Sequence, residues 1–346
     1  SLAKLWAIAN PFVGLIATLS FIIVLGYGGT HVIYGKLSLG DFVAFNTYLS
    51  MLIWPMMAFG WMINLLQRGR ASLDRLNVIL HTKPDIEDID SLEIDEIVGD
   101  IKFKDVTFTY PRTQEPALKS INFHRPAGNA LGIIGAAGSG KTTLVNLILR
   151  LFEVDKGEIL IDDRPIDDIP LAVLRKNIGY VPQDSFLFST SIAQNIAFSD
   201  VNISIDKIEE AAQMAHVYDD IMSFPEGFDT VIGERGVTLS GGQKQRISIA
   251  RALIMDPNIL ILDDSLSAVD TQTEDSILNS LKDVVKKRTS IIIAHRISSI
   301  QNTDEIIFLD RGEIVERGTH QELLTLRGHY YNLYQKQLLE EEVKSY

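Results

Sequence analysis

Two long apolar segments lie near the start of the chain. Leu5–Thr30 carries no charged residue and is mostly Val, Ile, Leu, Ala and Phe over Phe12–Leu25, and a second uncharged run covers Phe42–Leu66. An α-helix needs about 20 apolar residues to cross a bilayer, and both segments reach that length. We therefore predict a hairpin of two membrane helices, at about 5–34 and 41–67. Two buried helices of a soluble protein are the alternative interpretation.

The basic residues predict the orientation of this hairpin. The exit of the second span is crowded with positive charge: Arg68, Arg70, Arg75 and Lys83. Among Lys and Arg, the hairpin loop carries only Lys36. Because positive residues concentrate on the cytoplasmic side of membrane helices, we expect everything after Leu66 to be cytoplasmic.

Polar and aromatic residues inside the second span have two interpretations. They are Asn46, Thr47, Trp54, Trp61 and Asn64. Polar groups in a bilayer tend to face the protein interior, so these side chains could line a path for a small amphipathic cargo. Helix packing and anchoring of Trp at the membrane interface explain them equally well. Pro55 is expected to kink this helix.

The pattern changes after a polar, acidic stretch that we predict to be a linker, 81–100. Ile101 to Tyr110 alternates like a strand, and Lys141 to Phe152 has a helical pattern. Three short apolar runs have the character of buried parallel strands: 131–134, 259–262 and 290–293. Strands alternating with helices indicate an α/β core, which we assign to residues 101–346.

Composition narrows the function classes. The 346 residues exceed the usual size of a single hydrophobic core, in agreement with two regions. The net charge of −13 argues against a nucleic-acid partner, since phosphate backbones are bound by clustered Lys and Arg. The absence of cysteine excludes disulfides and thiolate metal sites. Because the chain starts at Ser1 and no signal-peptide pattern precedes the first span, we expect it to be a C-terminal fragment of a longer protein.

A glycine-rich segment provides the first chemical signal. Residues 135–142 read Gly-Ala-Ala-Gly-Ser-Gly-Lys-Thr, which fits G-x-x-x-x-G-K-[ST] between a predicted strand and a predicted helix. In such a P-loop, backbone N–H groups converge on phosphate oxygens and the helix start favours negative charge. The predicted nucleotide-binding residues are Gly135, Gly138, Ser139, Gly140, Lys141, Thr142 and Thr143. Lys141 would hold the β- and γ-phosphates and Thr142 would bind Mg²⁺. The alternative is a glycine-rich turn with a chance lysine.

An apolar strand that ends in two acidic residues provides the second signal. The run Ile259–Leu262 is followed by Asp263 and Asp264. The first acidic residue after such a strand completes the magnesium site of a P-loop protein, and Asp263 is predicted to do so. Without the P-loop, the same pattern would be a common accident of topology.

The pentapeptide Leu239-Ser240-Gly241-Gly242-Gln243 resembles the signature of ATP-binding cassette (ABC) proteins. Other elements of that family occur in the expected order. Tyr110 resembles the aromatic residue that stacks on adenine, Gln183 resembles the Q-loop glutamine, and His295 resembles the switch histidine. Ser267–Asp270 is similar to the D-loop, and Gly233–Gly236 is similar to a loop that exporters place before the signature. Each residue also has an ordinary explanation: an edge-strand aromatic, a surface glutamine, or a satisfied histidine at a strand end.

The resemblance implies a fold, cofactors and a partner. The fold is an α/β P-loop NTPase, an ABC-type ATPase domain with antiparallel β and helical subdomains, preceded by an all-α transmembrane hairpin over 1–80. The cofactors are ATP and Mg²⁺, with Thr142, Gln183 and Asp263 at the metal. Two subunits would face each other head to tail, so that the signature of one chain contacts ATP on the P-loop of the other. The residues in that contact would be Ser240, Gly241, Gly242, Gln243 and Asp270.

The same resemblance implies membrane transport. Closing and opening of the subunit pair would rock the membrane helices, moving an amphipathic cargo outward. The protein would lie in the cell (plasma) membrane as a multi-pass protein in contact with lipid. Its nucleotide-binding domain would be cytoplasmic. Gln183 and the Gly233–Gly236 loop would make mechanical contact with the membrane part.

One position departs from the family pattern. In the family, the residue after the metal-binding aspartate, here Asp263, is usually a glutamate that polarises the attacking water; in this chain it is Asp264, one methylene shorter. Misplacing a catalytic group by about 1 Å can cost on the order of a hundredfold in rate. The catalytic residues implied for this site are Asp264, His295 and Gln183. The sequence Asp264-Ser265-Leu266, in place of Glu-Ala-Thr, resembles the degenerate subunits of asymmetric multidrug exporters.

Asp264 and the complete signature together predict a heterodimer in which this chain supplies the slow site. A homodimer with two slow sites is the alternative. A second function class is a regulatory ATP-binding subunit with little hydrolysis of its own. A third is a soluble ABC ATPase of DNA repair or translation, which conflicts with the apolar hairpin and the acidic composition.

Overall fold

The computed structural model divides the chain into two compact units, Ser1–Asp85 and Ile86–Tyr346. Within them it describes residues 2–88, 94, 96–200, 202–233, 236–265, 276–277 and 288–344. We call the units the first unit and the second unit.

The first unit is helical. Its elements are α1 (Leu2–Ile23), a π-helical turn (Val24–Gly28), α2 (Gly29–Ile33) and α3 (Leu39–Leu80). Two helical segments are long and apolar enough to cross a membrane, Gly14–Ile33 and Leu39–Leu80. The helix α3 starts at Ser38, whose hydroxyl accepts the Asp41 N–H at 3.1 Å.

Helix α3 differs from the predicted span in its length. It continues from 67 to Leu80 and is a single helix across Pro55. The added segment, 68–80, carries Arg, Asp, Leu, Ala and Asn with one glycine and no proline, so nothing in it stops a helix. The end of the apolar run therefore indicates where a membrane span ends, whereas the helix itself continues to Leu80.

The π-helical turn of the first span lies close to α3 at a glycine. A Cβ on Gly28 would lie 2.8 Å from Cε2 of Phe42, whereas a Cβ on the neighbouring Gly26 or Gly29 would meet no atom within 4 Å. The ring of Phe42 therefore lies directly against the backbone at Gly28. This close approach joins the π-helical turn to the first turn of α3.

The second unit contains two sheets. The first is antiparallel, in the order β2-β1-β4-β5, and consists of β1 (Ile101–Phe108), β2 (Leu118–Arg125), β4 (Lys156–Ile161) and β5 (Arg164–Pro165). The second has the order β10-β9-β3-β8-β7-β6 and is parallel except for β10. Its strands are β3 (Ala130–Gly135), β6 (Ile178–Val181), β7 (Ile259–Asp263), β8 (Thr289–Ile293), β9 (Glu305–Asp310) and β10 (Glu313–Gly318).

Eight described α-helices accompany these sheets. They are α4 (Lys141–Ile148), α5 (Leu171–Lys176), α6 (Ile192–Ile196), α7 (Ile205–Met214), α8 (Tyr218–Met222), α9 (Gly241–Leu253), α10 (His320–Leu326) and α11 (His329–Lys344). Helices α6 to α9 pack on one another as a helical part of the unit. The α/β core, the antiparallel sheet and the helical part predicted from the sequence are therefore present.

Both faces of the parallel sheet are buried. Ile259 and Ile261 of β7 belong to a core shared with the antiparallel sheet, whereas Leu260 and Leu262 belong to a second core shared with the helical part. Successive residues of a strand point to opposite faces, so a strand covered on both sides must be apolar throughout. This is why β7 is an unbroken run of Ile and Leu before Asp263, and why β8 ends in three successive isoleucines.

The second half of the predicted linker belongs to the second unit. Ile94 and Ile97 are buried in the core of the antiparallel sheet. The carboxylate of Asp162 then accepts three successive backbone N–H groups, from Val98 at 2.7 Å, Gly99 at 2.9 Å and Asp100 at 2.8 Å. Within the predicted linker, Ile94 and Ile97 thus pack in the core, and distant Asp162 holds the backbone at 98–100.

Replacing Asp162 by alanine is expected to lower the free energy of unfolding of the second unit by about 2 kcal/mol, because three N–H groups lose their acceptor. The matched control is Asp163→Ala. Both residues have positive φ, +54° and +61°, so the backbone cost of alanine is the same at each. Asp163 is exposed and pairs with Lys102, and its loss should lower stability much less than the loss of Asp162 does.

Urea unfolding followed by circular dichroism measures the difference between the two variants. Tryptophan fluorescence is unsuitable because all three Trp residues lie in the first unit, at Trp6, Trp54 and Trp61. Equal losses for the two variants would show that the three N–H contacts contribute nothing beyond the turn.

Candidate functional site

The candidate residues meet at one edge of the parallel sheet. The P-loop follows β3, Asp263 ends β7, Gln183 follows β6 and His295 follows β8. These four strands run parallel, so their carboxyl ends lie at the same edge. Ligands of open α/β sheets bind at this edge.

The P-loop lies against neighbouring backbone. A Cβ on Gly135 would overlap the carbonyl oxygen of Leu309 in β9. Gly140 has φ +105°, and a Cβ there would lie 2.8 Å from the carbonyl oxygen of Ala117. The carbonyl of Ser139 accepts the Gly312 N–H at 3.0 Å. These contacts hold the loop between β3 and α4 in a compact turn that no larger residue at the two glycines would permit.

The Lys141 side chain folds back into this turn and binds its backbone. Its ammonium donates to the carbonyl oxygens of Gly135 at 3.0 Å and Ala136 at 2.8 Å. Burial lowers the pKa of Lys141, while the charges of Asp263 and Asp264 raise it. In the part of the chain that the structure describes, the buried hydroxyl of Ser139 has no hydrogen-bond partner. The loop thus presents an ammonium, a hydroxyl and the start of α4, all suited to phosphate oxygens.

Asp263 lies beside the P-loop, almost fully buried. Burial raises the pKa of its carboxyl group, and hydrogen bonding to Thr142 lowers it. The Tyr180 hydroxyl donates to Asp263 Oδ2 at 3.5 Å. Burial, together with the charge of Asp263, raises the pKa of Tyr180 to about 12, so the phenol remains a donor at neutral pH.

This donor set fits Mg²⁺ bound together with phosphate. The Asp263 carboxylate and the Thr142 hydroxyl are hard oxygen ligands, which Mg²⁺ prefers, and it usually takes one or two carboxylates with substrate phosphates. Among the described residues no group of three or more His, Cys, Asp or Glu could hold a metal ion alone. The chain therefore suits a metal that arrives with a nucleotide.

Asp264 and His295 face each other at the ends of the neighbouring strands β7 and β8. Asp264 has φ +47°, and its N–H donates to Ile293 O at 2.9 Å, which turns the chain sharply after β7. His295 Nε2 lies 3.9 Å from Asp264 Oδ2. On the other side, the Gln337 side chain of α11 donates to His295 O at 2.7 Å and accepts the Ile297 N–H at 2.9 Å. The loop that carries the histidine is thus fixed by a residue 42 positions away.

Tyr110 is anchored to the first turn of α4. Its hydroxyl donates to Thr143 Oγ1 at 3.0 Å and accepts from Asn146 at 3.4 Å. Its ring makes edge contacts with Phe108 and Phe152, at centroid distances of 4.9 and 5.2 Å. The aromatic residue predicted to stack on adenine therefore stands beside the P-loop helix.

The signature residues form the start of α9. The Ser240 hydroxyl accepts the Gln243 N–H at 3.2 Å, and Gln243 Oε1 accepts the Ser240 N–H at 3.0 Å, which is a reciprocal capping box. Gln243 Nε2 donates to Asp220 Oδ1 of α8 at 2.9 Å. Ser240 and Gly241 are exposed to solvent. The described contacts of Ser240 and Gln243 are thus within α9 and with α8.

Some predicted residues are not brought into these contacts. Gln183 is exposed just after β6. Asp270, with the rest of the segment Ser267–Asp270, lies outside the described residues, and so do Glu234 and Arg235. Two contributing residues were missed by sequence reasoning: Tyr180 and Asp220. Tyr180 stands three positions before Gln183 at a strand end, which is a usable signal, whereas Asp220 is 20 positions from the signature and gives none.

Comparison with known families matches both units. Residues 118–267 match the model described as ABC transporter, and residues 1–56 match that of the ABC transporter transmembrane region. Together the two matches cover more than half of the chain. The predicted ABC identity is confirmed by these matches.

Several curated proteins are similar over nearly the whole chain. The probable multidrug resistance ABC transporter ATP-binding/permease protein YheI of Bacillus subtilis (strain 168) is 46% identical over 95% of this chain and 56% of its own length. The multidrug resistance-like ATP-binding protein MdlA of Escherichia coli (strain K12) is 43% identical over 98% of this chain and 57% of its own. An ATP-dependent lipid A-core flippase of Syntrophus aciditrophicus (strain SB) is 43% identical over 97% and 56%. The chain spans somewhat more than half the length of these relatives.

A solved structure supports the same fold. It is described as a bacterial Atm1-family ABC exporter with ATP bound, with a TM-score of 0.84 and 35% identity, covering 96% of this chain and 59% of that one. This likeness confirms the predicted class, a P-loop ABC ATPase domain with two kinds of sheet, preceded by a helical transmembrane region. The chain belongs to the ABC transporter family.

Proposed function

We propose that this chain is the ATP-binding and ATP-hydrolysing subunit of an ABC exporter, coupling ATP-driven closure of two subunits to export of an amphipathic cargo. The observation that carries the proposal is the meeting of Lys141, Thr142 and Asp263 at one sheet edge, with His295 and Asp264 beside them. A phosphate-binding loop, an oxygen ligand set and a possible proton acceptor are thus within one site.

Each residue has a role that follows from its contacts. The Lys141 ammonium would exchange its two carbonyl partners for the β- and γ-phosphate oxygens. Thr142 and Asp263 would hold Mg²⁺, which supplies charge neutralisation when bound, and Gln183 would complete that site. Tyr110 would stack on adenine, and Gly135, Gly138, Ser139, Gly140 and Thr143 would surround the phosphates.

The signature would act on ATP held by a second subunit. Ser240 and Gly241 are exposed, so a second chain has access to the start of α9. Because the Ser240 oxygen accepts from Gln243, its own O–H is available to donate outward. The N–H groups of Gly241 and Gly242 also have no intrahelical acceptor at this position. These donors, with Gln243 and Asp270, would contact the partner's nucleotide.

Asp264 supports unequal sites. Its carboxylate stands where the usual glutamate would reach one methylene further toward the attacking water. The shorter side chain keeps the carboxylate but places it less well for the attacking water. We therefore assign this chain the slow site of a heterodimer. The fast site would combine the partner's P-loop and glutamate with this chain's signature. A homodimer with two slow sites is the alternative.

The cargo and the location follow from the relatives and the first unit. Relatives are named for multidrug resistance and for lipid A-core flipping, so the proposed cargo is a small amphipathic drug or lipid. Two apolar helices support a place in the cell membrane, with the second unit in the cytoplasm and no nucleic-acid partner.

A regulatory subunit is the second candidate function. It would bind ATP and gate the pathway with little hydrolysis of its own. Asp264 favours it, since a shortened catalytic carboxylate leaves the binding residues untouched. Whether hydrolysis by the assembled transporter persists when this chain's own site is disabled separates the two candidates.

Lys141→Ala should weaken ATP binding by this chain on the order of a hundredfold, because the side-chain ammonium of the P-loop is lost. The matched control is Lys104→Ala, which removes an exposed lysine of the same unit that pairs with Glu158. Equilibrium binding of a fluorescent ATP analogue to the full chain in detergent measures the effect. Unchanged affinity of the Lys141 variant would overturn the assignment of the site.

The two sites are distinguished by a second pair of substitutions in the assembled transporter. Ser240→Ala removes a donor from the fast site and should reduce total ATPase activity about tenfold or more. Asp264→Asn removes the acceptor of the slow site and should reduce it by less than about half. Steady-state phosphate release measures both. Equal losses would refute the asymmetry, and near-complete loss with Asp264→Asn alone would refute the slow-site assignment.

A further inference from the structure

A carboxylate of helix α8, that of Asp220, binds the Gln243 side chain of the signature. Asp220 accepts Gln243 Nε2 through Oδ1 at 2.9 Å and Arg246 Nη1 through Oδ2 at 2.8 Å. Arg246 also donates to the carbonyl of His216, just before α8. Both oxygens of one carboxylate are therefore bonded to side chains three positions apart on α9. Residues at i and i+3 lie on one face of a helix, so α8 binds a single face of the first turn.

This contact fixes the orientation of the Gln243 amide. With Nε2 on Asp220, Oε1 must face Ser240, where it accepts the backbone N–H at 3.0 Å. A flipped amide would place Oε1 against the carboxylate and Nε2 against the Ser240 N–H, and both contacts would be repulsive. Asp220 therefore stabilises the one arrangement in which the capping box is complete.

The capping box in turn determines which hydrogen-bond donors at the start of α9 are available to a ligand. While Gln243 N–H occupies the Ser240 oxygen, the Ser240 O–H can only donate elsewhere. The Gly241 and Gly242 N–H groups keep the direction of a regular first turn. Loss of the Gln243 side-chain anchor would let this turn fray and these donors lose their common direction.

Arg246 removes an electrostatic cost of this arrangement. A bare carboxylate near the start of α9 would oppose a phosphate. The Arg246 side chain is only 15% exposed, and its guanidinium neutralises Asp220 at 2.8 Å. The pair can thus orient Gln243 without adding net negative charge beside the nucleotide.

We propose that Asp220 is a positioning residue for the ATP that this chain's signature contacts on its partner. It acts through Gln243 and touches no nucleotide itself. The inference rests on the proposed function, in which Ser240, Gly241 and Gly242 serve the partner's fast site.

The first test is Asp220→Ala in the assembled, full-length transporter. We expect kcat/KM for ATP to fall about tenfold, since misplaced donors cost much of the transition-state stabilisation. Binding of a fluorescent ATP analogue to this chain's own P-loop should be unchanged. The matched control is Asp219→Ala, an exposed neighbouring carboxylate on the same helix, which should leave kcat/KM as in the wild type. Asp220→Asn keeps one of the two oxygen acceptors, which Gln243 or Arg246 but not both can use, and should lose less activity than Asp220→Ala.

A double-mutant cycle separates positioning from general damage to the fold. If Asp220 acts through Gln243, Asp220→Ala combined with Gln243→Ala should lose no more activity than Gln243→Ala alone. Independent, multiplying losses would overturn the proposal, as would an Asp220→Ala transporter within about twofold of wild type while Ser240→Ala is strongly impaired. A Ser240→Ala transporter with full activity would instead overturn the proposed function on which this inference rests.

Discussion

The candidate ATP site depends on how closely one loop lies against the backbone of neighbouring strands. The turn from β3 into α4 has no room for a side chain at Gly135, because the carbonyl of Leu309 occupies that space. Gly140 is constrained by the carbonyl of Ala117 and by its positive φ. With the loop held in this way, the Lys141 side chain folds back onto the carbonyls of Gly135 and Ala136, and α4 begins where phosphate is expected. The buried strands on either side give the loop its rigid support.

The charges of the site explain why nucleotide and metal should bind together. The positive charge of Lys141 lies near the negative charges of Asp263 and Asp264. Its charge is partly neutralised by the two carboxylates, and theirs by Lys141. A triphosphate placed there alone would meet two negative groups. A divalent cation bound with the phosphates would remove that repulsion, and Thr142 and Asp263 are already hydrogen bonded at the position where it would be needed. Burial, which raises the pKa of Asp263, adds to the gain from a bound cation.

Local patterns made much of the fold and of the site predictable. The buried strands β3, β7 and β8 contain short apolar runs, and the P-loop and the signature are contiguous motifs, so each could be recognised within a few residues. Contacts between distant segments could not. The capture of residues 98–100 by Asp162 and the anchoring of Gln243 by Asp220 depend on folding that brings separate segments together. The continuation of α3 to Leu80 was missed for a different reason. Hydropathy indicates which residues can lie in the membrane, but it does not indicate where a helix ends.

The two halves of the proposed chemistry are supported by different neighbours within the second unit. Residues of the P-loop are fixed by Leu309, Gly312 and Ala117, next to the parallel sheet. The start of α9 is fixed by Asp220 and Arg246 in the helical part. The contacts described for Asp264 are with Ile293 and His295, whereas the described side-chain contacts of Gln243 are with Ser240 and Asp220. Under the proposed function, this separation would allow the site on this chain to be slow while its signature still serves a partner. A chain in which one network held both sets would lose both functions with a single substitution.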